Sequence, residues 1–241
     1  MTLQLHAAAV THPGLIRSGN QDAVHVGRWL VAVADGMGGM AAGDLASGLA
    51  MAAMVTADVA RSDEELVPTL RGAVEAATAR IREAVDEDPS RDGMGTTLTA
   101  LLCSHTGRTL ALVHIGDSRA YLLRDGVLEQ VTRDDTLVQL LVEQGAISAA
   151  EAAVHPRRAV VTQALQGGPV SPFFTTFEPR AGDRWLLCSD GLSNVVDARS
   201  LTETLLAEQG RQDCAHRLVE LALRGGGPDN ISAIVADITS E

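Results

Sequence analysis

Four aspartates stand beside small residues at the edges of apolar runs that are far apart in the chain. They read LVAVADGMGG (Asp35), ALVHIGDSRA (Asp117), RWLLCSDGLS (Asp190) and GGPDNISAIVAD (Asp229, which opens its run). A lone aspartate after a strand is ordinarily a turn residue, its carboxylate accepting from nearby backbone N–H groups. Four of them at the ends of sequence-distant strands can instead converge at one sheet edge, where they repel one another unless cations lie between them. Oxygen-only ligation of that kind suits hard divalent ions such as Mg²⁺ or Mn²⁺.

The rest of the chain suits a large buried framework. Its 241 residues fit one sizeable domain, and 46% are apolar with only six aromatics, so the expected core is aliphatic. The formal net charge of −12 argues against nucleic acid or an anionic membrane as partner, since both need a basic face. All 19 basic residues are arginine. Without lysine there is no P-loop, no protein-kinase strand lysine and no Schiff base, so phosphate or carboxylate has to be met by arginine forks or metal ions. Cys103, Cys188 and Cys214 are widely spaced and read as buried thiols in a reducing compartment. With no leader sequence and no apolar run of about 18 residues, the expected location is the cytoplasm.

Along the chain, LQLHAAAVTHPGLIR reads as a strand, followed by the polar turn SGNQDA, and WLVAVAD as a strand ending in the glycine-rich turn GMGGMAAG. A buried Ala-rich helix is expected from about Asp44 to Ala60. A second helix starts at SDEE, where Ser62 and Glu65 have capping-box spacing, and ends at Pro89. Its Leu66, Leu70, Val74, Ala77, Ile81 and Val85 make one apolar face. TTLTALLC and TLALVHIG read as strands, and AYLLR and VLEQVT as a hairpin joined by Asp125-Gly126. Residues 136–153 read as helix broken at Gly145, with a second capping box at Ser148 and Glu151. PFFTTFEP and RWLLCS read as strands, followed by a short turn, a helix ending near Arg224 and the strand ISAIVADI. Antiparallel strands with helices grouped outside them predict an α+β fold, a four-layer α-β-β-α sandwich with two central, mainly antiparallel sheets.

Taken singly, each Asp-Gly turn reads best as a tight connection. Taken together and in order, Arg17-Ser18-Gly19-Asn20-Gln21-Asp22, Asp35-Gly36-Met37-Gly38-Gly39, Gly95-Thr96-Thr97, Gly116-Asp117-Ser118, Ser189-Asp190-Gly191 and Gly227-Pro228-Asp229-Asn230 resemble the motif set of the metal-dependent, phosphatase 2C-like protein phosphatases. The resemblance runs from about residue 5 to 238 and includes VTRDDTLVQLLVEQGAIS and HPRRAVVTQALQGG. It implies one catalytic domain over residues 1–241 with a flap at about 133–168. It also implies a bacterial Ser/Thr phosphatase that uses two Mn²⁺ or Mg²⁺ ions and a third, weaker one.

By the same resemblance, Asp35 bridges the two ions and the Gly36 carbonyl joins the second. Asp190 and Asp229 complete the first, and Asp117 holds the third with Asp190. Arg17 binds phosphate, Asp22 acts through metal-bound water and Asn230 shapes the turn at Asp229. The implied partners are phosphoproteins, among them a Ser/Thr kinase, with no nucleic acid and no membrane. The chemistry fits independently: cations overcome the repulsion between a carboxylate cluster and a phosphate dianion, and an arginine fork engages two phosphate oxygens at once.

Three positions depart from the family pattern. Met37 stands where eukaryotic-type members have a histidine, which leaves leaving-group protonation to water. Gln21 replaces a glutamate and removes a charge near the second ion. Asp135 stands where relatives often carry histidine. His114 and His155 have no ligand-pair spacing and read as structural or solvated, with a proton-donor or substrate-contact role as the alternative for His155. A cysteine nucleophile is disfavoured because no electropositive surround accompanies any of the three thiols. The rival from another class is a catalytically silent, phosphoprotein-binding regulator of the same fold, which would have no need of Asp35, Asp117, Asp190, Asp229 and Arg17 together.

Overall fold

The computed structural model describes residues 2–38 and 42–240, so residues 39–41 of the glycine-rich turn lie outside the described residues. The strands are β1 (Leu3–His12), β2 (Asp22–Val26), β3 (Leu30–Met37), β4 (Gly95–Thr96), β5 (Leu98–Cys103), β6 (Leu110–Ile115), β7 (Arg119–Arg124), β8 (Val127–Gln130), β9 (Phe173–Phe177), β10 (Arg184–Cys188) and β11 (Ile231–Ser240). The helices are α1 (Ala42–Val55), α2 (Leu66–Glu87), α3 (Leu137–Glu143), α4 (Ala149–Ala153), α5 (Asp190–Ser193), α6 (Ala198–Ala207) and α7 (Arg211–Arg224).

One sheet has the order β1-β11-β10-β7-β8, and the other β2-β3-β5-β6-β9 with β4 paired to β3. Every pairing between these strands is antiparallel. The predicted four layers are present, and the period-two alternation of side chains explains how. Along β3, Leu30, Ala32 and Ala34 face α1 and α2, packing with Ala50, Met54, Leu70 and Ile81. Val31 and Val33 face the other sheet, meeting Leu187, Ile234 and Ile238. In the opposite sheet Leu186, Ala233 and Val235 face Leu201, Leu205 and Leu218 of α6 and α7. Both faces of the central strands are covered, so β5 and β6 are buried at every residue.

Local signals work as expected at the ends of elements. Glu65 accepts from the Ser62 N–H (2.9 Å) at the start of the second helical segment, and Glu151 from the Ser148 N–H (2.7 Å) at α4. Asp125 (φ 52°) and Gly126 (φ 80°) make the tight turn between β7 and β8.

Three expectations change. The polar SGNQDA stretch leads into a further strand, β2, which pairs with β3. Helix α1 stops at Val55 and does not continue to Ala60. There Asp58 turns back to accept from the N–H groups of Trp29 (2.8 Å) and Leu30 (3.1 Å) at the start of β3. The single helix expected before Arg224 is three: α5, α6 and α7. Asp197 caps α6 by accepting from the Ser200 N–H (2.8 Å). At the other end, Arg184 from β10 donates to the carbonyls of Leu205 (2.9 Å) and Gln209 (2.8 Å), which closes α6 before α7 begins.

Trp185 is the largest fully buried side chain, set edge-on against Phe177 with ring centroids 5.0 Å apart, and its indole N–H has no hydrogen-bond partner among the described residues. Trp185→Ala should lower unfolding free energy in denaturant by about 3–5 kcal/mol. Trp185→Phe also removes the orphaned donor and should cost less than half as much. Equal losses in the two variants would contradict this account of the inter-sheet core.

Candidate metal centre

Antiparallel pairing brings the acidic residues to one end of the sandwich. Asp22 on β2 stands opposite Asp35 on β3 in the register of that pair. Asp35 lies inside its strand and not after its end, because β3 continues through Gly36 and Met37 to pair with Thr96 and Gly95. The Asp35 backbone is fully engaged: its N–H donates to Thr97 Oγ1 (3.0 Å), and its carbonyl accepts from the Thr97 N–H (2.9 Å) and Thr96 Oγ1 (2.9 Å). Asp117 sits in the β6–β7 turn, Asp190 is the first residue of α5 after β10, and Asp229 directly precedes β11.

All four, with Arg17 and Gly36, line one cleft of about 310 Å³. The glycines after Asp35 and Asp190 allow this close approach. A Cβ at Gly36 would run into the carbonyls of Gly43 and Gln21, and one at Gly191 into the carbonyl of Asn230. Asn230 secures the opposite lip. Its Oδ1 accepts from the Gln21 N–H (2.8 Å), and its Nδ2 donates to the carbonyls of Pro13 (2.9 Å) and Gly19 (2.8 Å). The loop so held carries Arg17, whose guanidinium reaches Asp229 Oδ2 at 2.7 Å.

The electrostatics are those of crowded, desolvated acids. Burial, followed by the charges of Asp22, Asp190, Asp117 and Asp229, holds the Asp35 carboxyl well above the usual carboxylate range. Burial also raises Asp190, with Asp229 adding to it, while a hydrogen bond with Asp35 and the charge of Arg17 oppose it. Asp117 is pushed up to about 7 by burial, then by Asp190 and Asp134, against the pull of Arg119. Asp22 is pushed up to about 6 by burial, even though its Oδ2 accepts from the hydroxyls of Ser189 and Ser232, each at 2.7 Å.

These residues fit a divalent cation. The four aspartates lining the cleft offer oxygen, as Mg²⁺ and Mn²⁺ prefer. Asp22 Oδ1 is buried with no partner among the described residues, a costly state that cation-ordered water would relieve. Among the described residues, no three His, Cys, Asp or Glu side chains stand as a ready-made coordination shell. Instead Asp229 pairs with Arg17.

Other residues have structural places. His114 is buried, bonded through Nε2 to the Arg133 carbonyl (2.9 Å) and through Nδ1 to the Thr99 hydroxyl (2.9 Å). His155 Nδ1 accepts from the Arg157 N–H (3.1 Å) in its own turn. All three cysteines are free and buried. Burial pushes the Cys188 thiol up to about 12 and Cys103 and Cys214 up to about 11, so none is a thiolate nucleophile. Asp135 ties the 133–168 segment to the Asp117 turn: its Oδ2 accepts from the Gly116 N–H (3.0 Å) and from Gln163 Nε2 (3.0 Å).

Sequence reading missed the supporting hydroxyls of Ser189, Ser232 and Ser118. Ser118 shares a hydrogen bond with Thr97 (2.7 Å). The only signal was that Ser189 and Ser118 sit beside motif aspartates.

The family model described as "Protein phosphatase 2C" matches residues 17–221. The chain belongs to the protein phosphatase 2C family. Its similarity to the serine/threonine protein phosphatase PstP of Mycobacterium tuberculosis is 50% identity over 238 residues, 99% of this chain and 46% of that protein. The chain thus spans about half the length of the first curated relatives it matches. It is 34% identical to the serine/threonine phosphatase stp of Listeria monocytogenes, covering 97% of this chain and 96% of that one. Among solved structures, a crystal structure of the M. tuberculosis phosphatase superposes with a TM-score of 0.95 at 50% identity, covering 98% of this chain and all of that one. The catalytic domain of PstP in complex with two manganese ions superposes with a TM-score of 0.93 at 49% identity, covering 99% and 100%.

The raised carboxyls give this family member a defined pH response. Asp22 and Asp117 bind protons more tightly in the folded chain than at the ordinary 3.8. The folded state therefore holds the extra protons between pH 3.8 and about 7, and stability falls as pH rises through that window. Buried His114, whose pKa is lowered, acts in the opposite sense. The comparison that isolates the acids is therefore wild type against Asp117→Asn. Denaturant unfolding of metal-chelated protein should show a loss on the order of a few kcal/mol from about pH 5 to about pH 7.5, shallower in Asp117→Asn and reversed by Mn²⁺. A slope identical in both proteins would contradict the assigned environment of Asp117.

Proposed function

We propose that this chain is a metal-dependent Ser/Thr protein phosphatase that hydrolyses phosphoserine and phosphothreonine. One observation supports the reading above all: Asp35, Asp117, Asp190 and Asp229, remote in sequence, meet with Arg17 in a single cleft. In this reading the described sheets, helices and the 133–168 flap act as one catalytic unit. Asp35 bridges two ions, with the Gly36 carbonyl on the second and Asp190 and Asp229 on the first. Asp117 and Asp190 serve a third, weaker ion, and Mn²⁺ or Mg²⁺ is the metal. When bound, the ions supply the positive charge that admits a phosphate dianion and lower the pKa of the attacking water.

The chain's own groups complete the site. Arg17 is half-exposed and held over the cleft by Asp229, free to present its fork to two phosphate oxygens and to stabilise their charge in a loose transition state. Asp22, fixed by Ser189 and Ser232, orients water beneath the cations through its unpartnered Oδ1. Asn230 and Gly191 hold the Asp229 and Asp190 turns together. With Met37 at the cleft in place of a histidine, water protonates the leaving alkoxide in this reading.

The substrates in this reading are phosphoproteins, including an autophosphorylated Ser/Thr kinase of a bacterial cell, with no nucleic-acid or membrane partner. Among the described residues no helix is long and apolar enough to cross a membrane, and a cytoplasmic place is part of the proposal.

Mn²⁺-dependent hydrolysis of a phosphothreonine peptide should be lost in Asp190→Ala, with the circular dichroism of the fold retained; equal rates in the two proteins would remove the metal site. Arg17→Ala should raise KM and lower kcat/KM by roughly 10- to 100-fold, the loss of a charge-assisted phosphate contact. Unchanged inhibition by inorganic phosphate in that variant would dismiss the role of Arg17.

A further inference from the structure

Next to Arg17, which lines the cleft, stands an aliphatic lip that hydrolysis of the phosphate does not use. Leu15 and Ile16, immediately before Arg17, are 63% and 73% exposed. They are not on a loose loop. The Leu15 N–H donates to the Gly227 carbonyl at 2.8 Å, and Asn230 Nδ2 holds the carbonyls of Pro13 and Gly19 on either side of the pair. Leu15 leans toward Gly227 and Leu223. Ile16 is left presented to water, one arginine side chain away from the Asp229 carboxylate. Met37, Ala159 and Val161, which also line the cleft, carry no charge.

A rigid turn that keeps an isoleucine in water leaves apolar area to be covered on binding, without the ordering cost that a mobile loop would incur. The position of the turn decides what covers it. It directly precedes Arg17, which lines the cleft, so a phosphorylated side chain reaching Arg17 brings its own backbone close to this turn. An extended peptide advances roughly 3.3 Å per residue, so a neighbour one or two places from the phosphorylated residue reaches the turn that carries Ile16. The acidity of the cleft and the net charge of −12 disfavour a carboxylate at that neighbour.

Resting on the phosphatase reading above, we propose that Ile16, backed by Leu15, docks an aliphatic side chain within two residues of the phosphorylated Ser or Thr. The substrates are then phosphoproteins whose phosphosites carry Leu, Ile or Val at that place.

The test compares kcat/KM for three phosphothreonine peptides that differ only in having Leu, Ser or Asp at the two positions on either side. Each rate is divided by the same protein's rate on p-nitrophenyl phosphate, which carries no flanking residue. Wild type should favour the Leu peptide over the Ser peptide by about tenfold, the worth of one partly buried aliphatic side chain, with the Asp peptide slower still. Ile16→Ser should reduce the Leu-to-Ser ratio to below about twofold, and Ile16→Leu should keep it. Equal normalised rates on the Leu and Ser peptides in wild type, or a ratio untouched by Ile16→Ser, would overturn the inference while leaving the phosphatase reading intact. A dimer abolished by Ile16→Ser, with no peptide preference, would assign the lip to a second copy of the chain and overturn it as well. Failure to hydrolyse p-nitrophenyl phosphate or any peptide would overturn the phosphatase reading, and this inference with it.

Discussion

Repulsion among buried carboxylates is the constraint to which the rest of the structure is fitted. Asp22, Asp35, Asp117 and Asp190 all have raised pKa values, with burial as the first cause and one another's charges behind it. A folded chain gains nothing in stability from such a cluster; the surrounding core has to hold it together. Two fully packed sheets, each covered by helices, supply that core. The cluster becomes favourable once dications enter, so the proposed centre stores a strong preference for hard cations in the metal-free fold.

The strain is held by backbone contacts more than by side chains. Asp35 is bonded on both sides through its amide and carbonyl to the Thr96–Thr97 step. Thr96 in turn exchanges N–H to carbonyl bonds with Leu165 (2.9 and 3.0 Å) at the far end of the 133–168 segment. Arg82 of α2 donates to the Gly167 carbonyl at 2.7 Å. Helix α2, the end of the 133–168 segment and the central strand thus meet within a few residues of Asp35, and sites held by rigid elements keep their geometry better than sites on loops. Asn230 does the same for the Arg17 loop on the other side of the cleft.

Arginine is the sole source of fixed positive charge in this chain, and most of it is committed. Arg119 grips Asp134 at 2.7 Å, Arg124 grips Asp183 at 2.6 Å, and Arg184 grips Asp237 at 2.7 Å while closing α6. Arg17 is the one that lines the cleft. In the proposed reading, an acidic cleft lined by one arginine would take its affinity for a phosphoprotein from the metals, from Arg17 and from apolar contact, and little from long-range attraction.

Much of this was legible in the chain itself. Apolar runs between turn residues gave the strands, Ser62–Glu65 and Ser148–Glu151 gave helix starts, Asp125-Gly126 gave the hairpin, and the ordered aspartate motifs named residues that line the candidate site. Those signals are local: they depend on side-chain periodicity and on turn chemistry within a few residues. What escaped them depends on partners far away in sequence. Strand β2 exists because DAVHV finds the edge of β3. Helix α1 ends early because Asp58 binds the amides of Trp29 and Leu30, and α6 ends where Arg184 takes its last carbonyls. The hydroxyls of Ser189 and Ser232 support Asp22 only because β10 and β11 pair. The amino-acid order alone therefore determined which residues bear charge, which segments extend or coil, and which chemistry is within reach. Tertiary packing decided how close the carboxylates lie, how far their protons are held and which residues share the cleft, because burial and mutual charge act through space and not along the chain.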